Sequence, residues 1–211
     1  DEVMTGLGRI GPAFGMSVFA VEADIVALGK GLAAGYMPLG AVLASGKVAA
    51  AFENGSGVFE HGFTYSAHPV SCAAGLAVLE FMEAHKLFER INQSSVVLFE
   101  QLKQLAADPA CAEIIGDVRG QGLLFGLEFV SDPLSKEIFA PELRLSQKIA
   151  EEASKLGLLI YPGGGCVDGG GDHIIVAPPY TMSESEQGEL CQRLRSAIVN
   201  VIQALNSKVL Q

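Results

Sequence analysis

Apolar positions come first in short runs punctuated by glycine, and then at helical spacing. Residues 24–28 (Asp-Ile-Val-Ala-Leu) form an apolar run stopped by Gly29, the pattern of a buried parallel strand. Residues 39–44 predict the next strand, residues 47–53 a short helix, and Asn54-Gly55-Ser56-Gly57 a turn. From 69 to 106 the pattern is helical, with Ala73, Ala74 and Ala77 small enough for close packing. Charges become frequent only after Glu80, which predicts a buried first half and a solvated second half. Asp108-Pro109 stops this stretch. Beyond it we expect a strand pair around 112–130, a helix at 142–156, strands near 158–161 and 173–177, and a last helix at 183–206. Ser183 with Glu186 gives that helix a capping box, and its apolar stripe reads as core packing. The order predicts an α/β protein in which a small α/β domain is appended to part of a larger parallel sheet.

Composition narrows the function classes. The 211 residues are 49% hydrophobic with a mean hydropathy of +0.35, which supplies a full core and excludes intrinsic disorder. Fourteen Lys and Arg against 24 Asp and Glu give a net charge of −10, which argues against nucleic acid and membrane surfaces as partners. Trp is absent, so a base-stacking platform is unsupported. Cys72, Cys111, Cys166 and Cys191 stand 39, 55 and 25 residues apart, without a C-x-x-C pair, and read as reduced cytoplasmic thiols. The four histidines show no metal-site spacing. The uncharged runs 31–46 and 62–79 both contain proline and glycine, so neither reads as a membrane span. The chain opens on Asp1 inside a glycine-punctuated motif, and we expect it to be a piece of a longer protein, inactive alone.

Three features carry candidate chemistry. Gly6-Leu7-Gly8-Arg9-Ile10-Gly11 satisfies G-x-G-x-x-G, but no helical period follows and Asp24 precedes a strand, so a dinucleotide fingerprint is not supported. Lys30 follows an apolar strand and sits between Gly29 and Gly31. A lysine desolvated in such surroundings becomes a nucleophile able to form a Schiff base; a solvated lysine at a strand end has the same local pattern. Asp1, like Lys30, abuts a short apolar stretch, so neighbouring strands could present both to one ligand. A surface charge is the plainer reading of Asp1 alone.

Taken together, the spacing is more specific. Asp1-Glu2-Val3, Gly6-Leu7-Gly8-Arg9 and Gly11 precede a twelve-residue gap, followed by Asp24-Ile25-Val26, Gly29-Lys30-Gly31, Gly35 and Pro38-Leu39-Gly40-Ala41. His61-Gly62-Phe63-Thr64-Tyr65-Ser66-Ala67-His68-Pro69, Val118-Arg119-Gly120-Gln121-Gly122-Leu123, Gly171-Asp172-His173 and Ala177-Pro178-Pro179 continue the pattern. The chain resembles the C-terminal half of class III aminotransferases, pyridoxal-phosphate (PLP) enzymes of fold type I.

That resemblance implies a large PLP-binding domain, mainly parallel, contributing 1–108 with a linking helix, and a small C-terminal domain over 109–211. It implies Lys30 as the Schiff-base lysine, Asp1 as the carboxylate at the pyridinium nitrogen, and Val3 as the apolar residue on one ring face. It implies Thr64, with the Phe63 backbone N–H, as donors to the cofactor phosphate of a partner subunit, hence a homodimer with shared sites. Substrates would be a small amine or amino acid and an oxo acid. A racemase or decarboxylase on the same scaffold, or a non-catalytic dimerising relative, are the alternatives. Some relatives clamp a substrate carboxylate with an arginine near the Gly-Asp-His stretch; here Tyr161-Pro162-Gly163-Gly164-Gly165-Cys166-Val167-Asp168 has none. Arg119 fits an internal salt bridge or a substrate contact, and His68 fits a helix entry.

Overall fold

The computed structural model describes residues 1–167 and 169–209, with the side chains of 208 and 209 left aside. Asp168 of the glycine-rich stretch therefore lies outside the described residues. Contacts divide the chain into two compact units, Asp1–Ile91 and Asn92–Gln211.

In the first unit, β1 (Ile25–Leu28) pairs with β2 (Ala41–Ala44) in the register Ile25↔Ala44 to Leu28↔Ala41. This pairing is antiparallel. The link between the strands contains only a 3-10 turn, Lys30–Ala33, and left-handed residues at Ala34 (φ 47°) and Gly35 (φ 79°). It folds the chain back instead of carrying it across a sheet face, as a parallel crossover requires. A core of Leu7, Val26, Leu28 and Leu32 lies under this ribbon, with Phe14, Met16, Leu39 and Ala41 packed against it.

Helix α1 (Gly46–Glu53) follows, and α2 (Pro69–Ala84) then packs on the 3-10 turn. A Cβ at Gly75 would lie 2.6 Å from Leu39 Cδ2 and 3.3 Å from the Leu32 carbonyl oxygen, so glycine sets the closeness of that approach. The helical stretch from 69 is not continuous. His85 caps α2, Lys86 turns left-handed (φ 49°), and α3 (Leu87–Ala107) starts afresh. Within this chain alone, burial runs the other way along this stretch. In α2 only Ser71, Gly75 and Met82 are buried, while Val70, Leu76, Leu79 and Phe81 are exposed. In α3, Ile91, Leu98, Leu102 and Leu105 are buried. The large apolar residues of α2 find no cover within this chain, whereas those four of α3 recur at helical spacing and are covered.

The second unit holds a four-stranded antiparallel sheet in the order β3 (Ile115–Gln121), β4 (Leu124–Phe129), β6 (His173–Val176) and β5 (Tyr161–Gly163). Along β4, Phe125, Leu127 and Phe129 alternate inward, joined by Ile174 and Val176 of β6. Helices α4 (Leu145–Lys155) and α5 (Glu184–Val209) cover them with Leu145, Ile149 and Ala153, and with Leu190, Leu194, Ala197, Ile198 and Val201. The capping box forms as expected, with the Ser183 N–H donating to Glu186 Oε2 at 2.7 Å and the Glu186 N–H to Ser183 Oγ at 3.3 Å. Asp108, just past α3, accepts both Nε (2.8 Å) and Nη2 (3.1 Å) of Arg195 on α5. β5 begins three residues later than the expected 158, because pairing starts only at Tyr161↔Ile175.

All four cysteines are free, and burial pushes the Cys191 thiol up to about 11, which leaves it inert near neutral pH. Among the described residues no helix is long and apolar enough to cross a membrane. Leu127 has no exposed surface at the centre of the sheet, so Leu127→Ala should destabilise the second unit by about 2–5 kcal/mol, read by denaturant unfolding.

Candidate functional site

Two of the residues singled out from sequence, Val3 and Lys30, come to the carboxyl end of β1, and Asp1 opens the segment that carries Val3. The Glu2 N–H donates to the Ala27 carbonyl at 2.9 Å, which lays the opening segment beside the strand. Val3 follows, and a Cβ at Gly29 would sit 3.3 Å from Val3 Cγ1, so the valine methyls rest on the glycine before Lys30. Asp1 precedes it and accepts the Val3 N–H on Oδ1 at 2.8 Å. The segment thus brings one branched apolar side chain to the strand end that carries Lys30, with a carboxylate two residues before it.

Lys30 opens the 3-10 turn with φ 42°, a left-handed conformation that costs a residue with a Cβ about 1–2 kcal/mol. Gly29 before it is extended (φ −170°, ψ −154°), and the Leu32 N–H closes on the Gly29 carbonyl at 2.9 Å. Of the two readings left open for its surroundings, the exposed strand end is the one seen within this chain. The apolar run before it is buried through Val26 and Leu28, but Gly29 ends that burial one residue too early.

Phe63 and Thr64 lie in the exposed segment between α1 and α2. The Phe63 N–H is already donated to Ser66 Oγ at 3.2 Å, and the Ser66 N–H returns to the Phe63 carbonyl at 3.0 Å. Edge-to-face contacts of Phe52 with Phe59 (5.3 Å) and Phe59 with His61 (5.7 Å) order the stretch before it. His68 acts as the helix entry, its Nδ1 accepting the Ser71 N–H at 3.4 Å with Pro69 at the first position of α2.

Two other motifs of the resemblance serve the second unit. Arg119 donates through Nη1 to Asp117 Oδ2 (2.8 Å) and Glu128 Oε2 (2.6 Å), an internal bridge across β3 and β4. Asp172 is buried and takes the Ser146 N–H on Oδ1 at 2.8 Å, while its carbonyl accepts the Phe129 N–H at 2.9 Å. It ties the start of α4 to the sheet.

Sequence reasoning overlooked Glu2. Its side chain is only 7% exposed, and it accepts Thr5 Oγ1, the Gly15 N–H (3.0 Å) and the Met16 N–H (2.6 Å). Burial alone would raise its pKa, but those three donors overcome it and hold the carboxyl below the ordinary 4.5. An acid between Asp1 and Val3 carries no local signal of burial; its donors come from residues up to fourteen positions away. A cavity of about 390 Å³ beside it is lined by Asp1, Glu2, Thr5, Phe19 and Ile25 among others, and Lys30 is not part of its wall.

The aminotransferase class-III family profile matches residues 1–198, and the chain belongs to that family. It is 44% identical over 191 residues to the uncharacterized aminotransferase YodT of Bacillus subtilis (strain 168), covering 90% of this chain and 42% of that protein. A transaminase from the marine bacterium Virgibacillus superposes with a TM-score of 0.91 at 32% identity, over 97% of this chain and 45% of that one. An amine transaminase from an uncultivated Pseudomonas species, solved in a PLP-bound form, gives 0.84 at 38% identity, over 95% of this chain and 44% of that one. The chain thus spans less than half the length of these proteins.

A carboxyl whose folded pKa lies below 4.5 stabilises the fold fully above that pH and loses its contribution as the pH falls through the folded value. The amide chemical shifts of Gly15 and Met16 should therefore titrate together, with one midpoint below 4.5.

Proposed function

We propose that this chain is the C-terminal part of a PLP-dependent aminotransferase that moves an amino group between an amine or amino acid and an oxo acid. The observation that carries the reading is Val3 resting on Gly29, next to Lys30, at the carboxyl end of β1, on a segment that opens with Asp1, in a chain of the class-III family. The donor set fits the cofactor. A primary amine suits its aldehyde, a carboxylate its ring nitrogen, an apolar branched side chain its ring face, and uncharged donors its phosphate. When bound, PLP supplies an electron sink that makes the substrate Cα–H acidic enough to remove.

The chain's residues would do the rest. Lys30 holds the cofactor through its amine until a substrate amine displaces it, then carries the proton at the substrate Cα as base and acid. Asp1 keeps the proton on the ring nitrogen, so negative charge is drawn away from Cα. Val3 covers one ring face and excludes water there. Thr64 donates its hydroxyl to the phosphate, and the Phe63 N–H joins it once released from Ser66 Oγ. In this reading 1–108 belongs to the large domain with its linking helix and 109–211 is the small domain. In the same reading the protein is cytoplasmic, a compartment that its free cysteines suit.

Thr64 would serve the partner subunit of a homodimer. Its segment is exposed within its own chain and rich in donors, and exposed Phe59, Phe63, Tyr65 and Val70 flank it. Such an apolar, hydrogen-bonding stretch suits a subunit interface.

Two experiments test this in the full-length protein. Borohydride reduction should fix the cofactor to the peptide carrying Lys30, and Lys30→Ala should abolish both the visible band and turnover. A reducible imine surviving in Lys30→Ala would overturn the assignment. Thr64→Ala should cost about 1–3 kcal/mol of cofactor affinity, the range for a hydrogen bond to a charged group. Mixing inactive Thr64→Ala and Lys30→Ala subunits at limiting cofactor should restore activity, since each mixed dimer has one site free of both defects. Mixed dimers that exchange subunits yet stay inactive would return Thr64 to its own subunit's site.

A further inference from the structure

The reading above gives roles to Asp1 and Val3 and none to Glu2 between them. Yet Glu2 is the most firmly held of the three. Its carboxylate takes Thr5 Oγ1 and the Gly15 N–H on Oε2 and the Met16 N–H on Oε1. Its own N–H reaches the Ala27 carbonyl, and its carbonyl accepts the Gly6 N–H at 3.0 Å. The space around it is full. A Cβ at Gly15 would lie 2.8 Å from Glu2 Oε2 and 3.0 Å from Thr5 Cβ, and one at Gly6 would lie 2.8 Å from the Glu2 carbonyl oxygen. A carboxylate with donors from three residues and Gly15 against it, on a backbone that Gly6 approaches closely, has almost no freedom to move. Its neighbours in the chain inherit that rigidity through the backbone. Val3 is pinned against Gly29 and Asp1 is placed two residues from it, while neither side chain is buried deeply enough to fix itself.

We infer that Glu2 is a positioning residue of the cofactor site, anchoring the backbone of Asp1 and Val3 against the end of β1 where Lys30 begins. The inference rests on the roles proposed above for Asp1 and Lys30. Glu2 acts through its neighbours and touches no reacting atom. Its lowered pKa agrees with this, since only the charged form uses all three donors.

The test uses the full-length protein loaded with PLP, and reads the pH midpoint of the cofactor's visible band together with the cofactor dissociation constant. Asp1→Asn removes the charge at the ring and should move the midpoint. Glu2→Gln keeps the volume but replaces one acceptor oxygen with a donor. It should move the midpoint in the same direction and weaken cofactor binding, because Asp1 and Val3 are no longer held in place. Thr5→Val removes a single donor and should produce a smaller shift of the same sign; it carries the test if Glu2→Gln does not fold. Because Glu2 works through Asp1, adding Glu2→Gln to Asp1→Asn should move the band no further. A moved band in Asp1→Asn with unmoved bands in Glu2→Gln and Thr5→Val, whatever their melting temperatures, overturns the inference alone. Equal shifts from Glu2→Gln with and without Asp1→Asn overturn it too. An unmoved band in Asp1→Asn overturns the Asp1 assignment and the inference with it.

Discussion

A carboxylate taken out of water has to be given donors, and in the first unit this requirement organises everything around the end of β1. Desolvating such a group costs several kcal/mol, and only well-placed hydrogen bonds offset it. Glu2 obtains them from Thr5, Gly15 and Met16, so the loop between 5 and 16 must curl back over the opening residues. That curl buries Leu7 and brings Phe14 and Met16 onto Val26 and Leu28. The glycines of the loop follow from it. Gly6 and Gly15 stand where a side chain would collide with Glu2, and Gly8 (φ 92°) stands where one would lie 2.8 Å from Ile91.

The second constraint is the reversal after β1. An antiparallel return from Leu28 to Ala41 needs residues in left-handed conformations, and Lys30 is one of them. Strain of this kind is stored where the surrounding packing over-determines the backbone. Here the packing comes from α2, whose Gly75 allows the 3-10 turn to be approached closely through Leu32 and Leu39. The amine on which the proposed chemistry depends is therefore held at a fixed point of the backbone, although its side chain is exposed within this chain.

The second unit follows a simpler logic. Alternating residues on β4 and β6 and helical stripes on α4 and α5 bury one apolar layer, and polar ties close its ends. Asp172 joins the start of α4 to the sheet, and Asp108 with Arg195 joins the end of α3 to α5. Asp172 of the Gly-Asp-His motif is such a tie, and so is Arg119, which sequence alone leaves open to a substrate contact.

The sequence by itself determined the local and the periodic: both ribbon strands, the break at Asp108-Pro109, the capping box at Ser183, and the helix entry at His68. It also determined the family, because Lys30, Asp1 and their glycines stand at a spacing that needs no contact map to read. Only the tertiary structure decided strand direction, because an apolar run looks the same whichever way its neighbour runs. Only it decided that α3 would be buried within this chain while the apolar residues of α2 find no cover there, since burial depends on what lies opposite a face as well as on how apolar that face is. And only it found Glu2, an acid with no local mark of burial, because the donors that make its burial possible arrive from a loop the sequence places far along the chain.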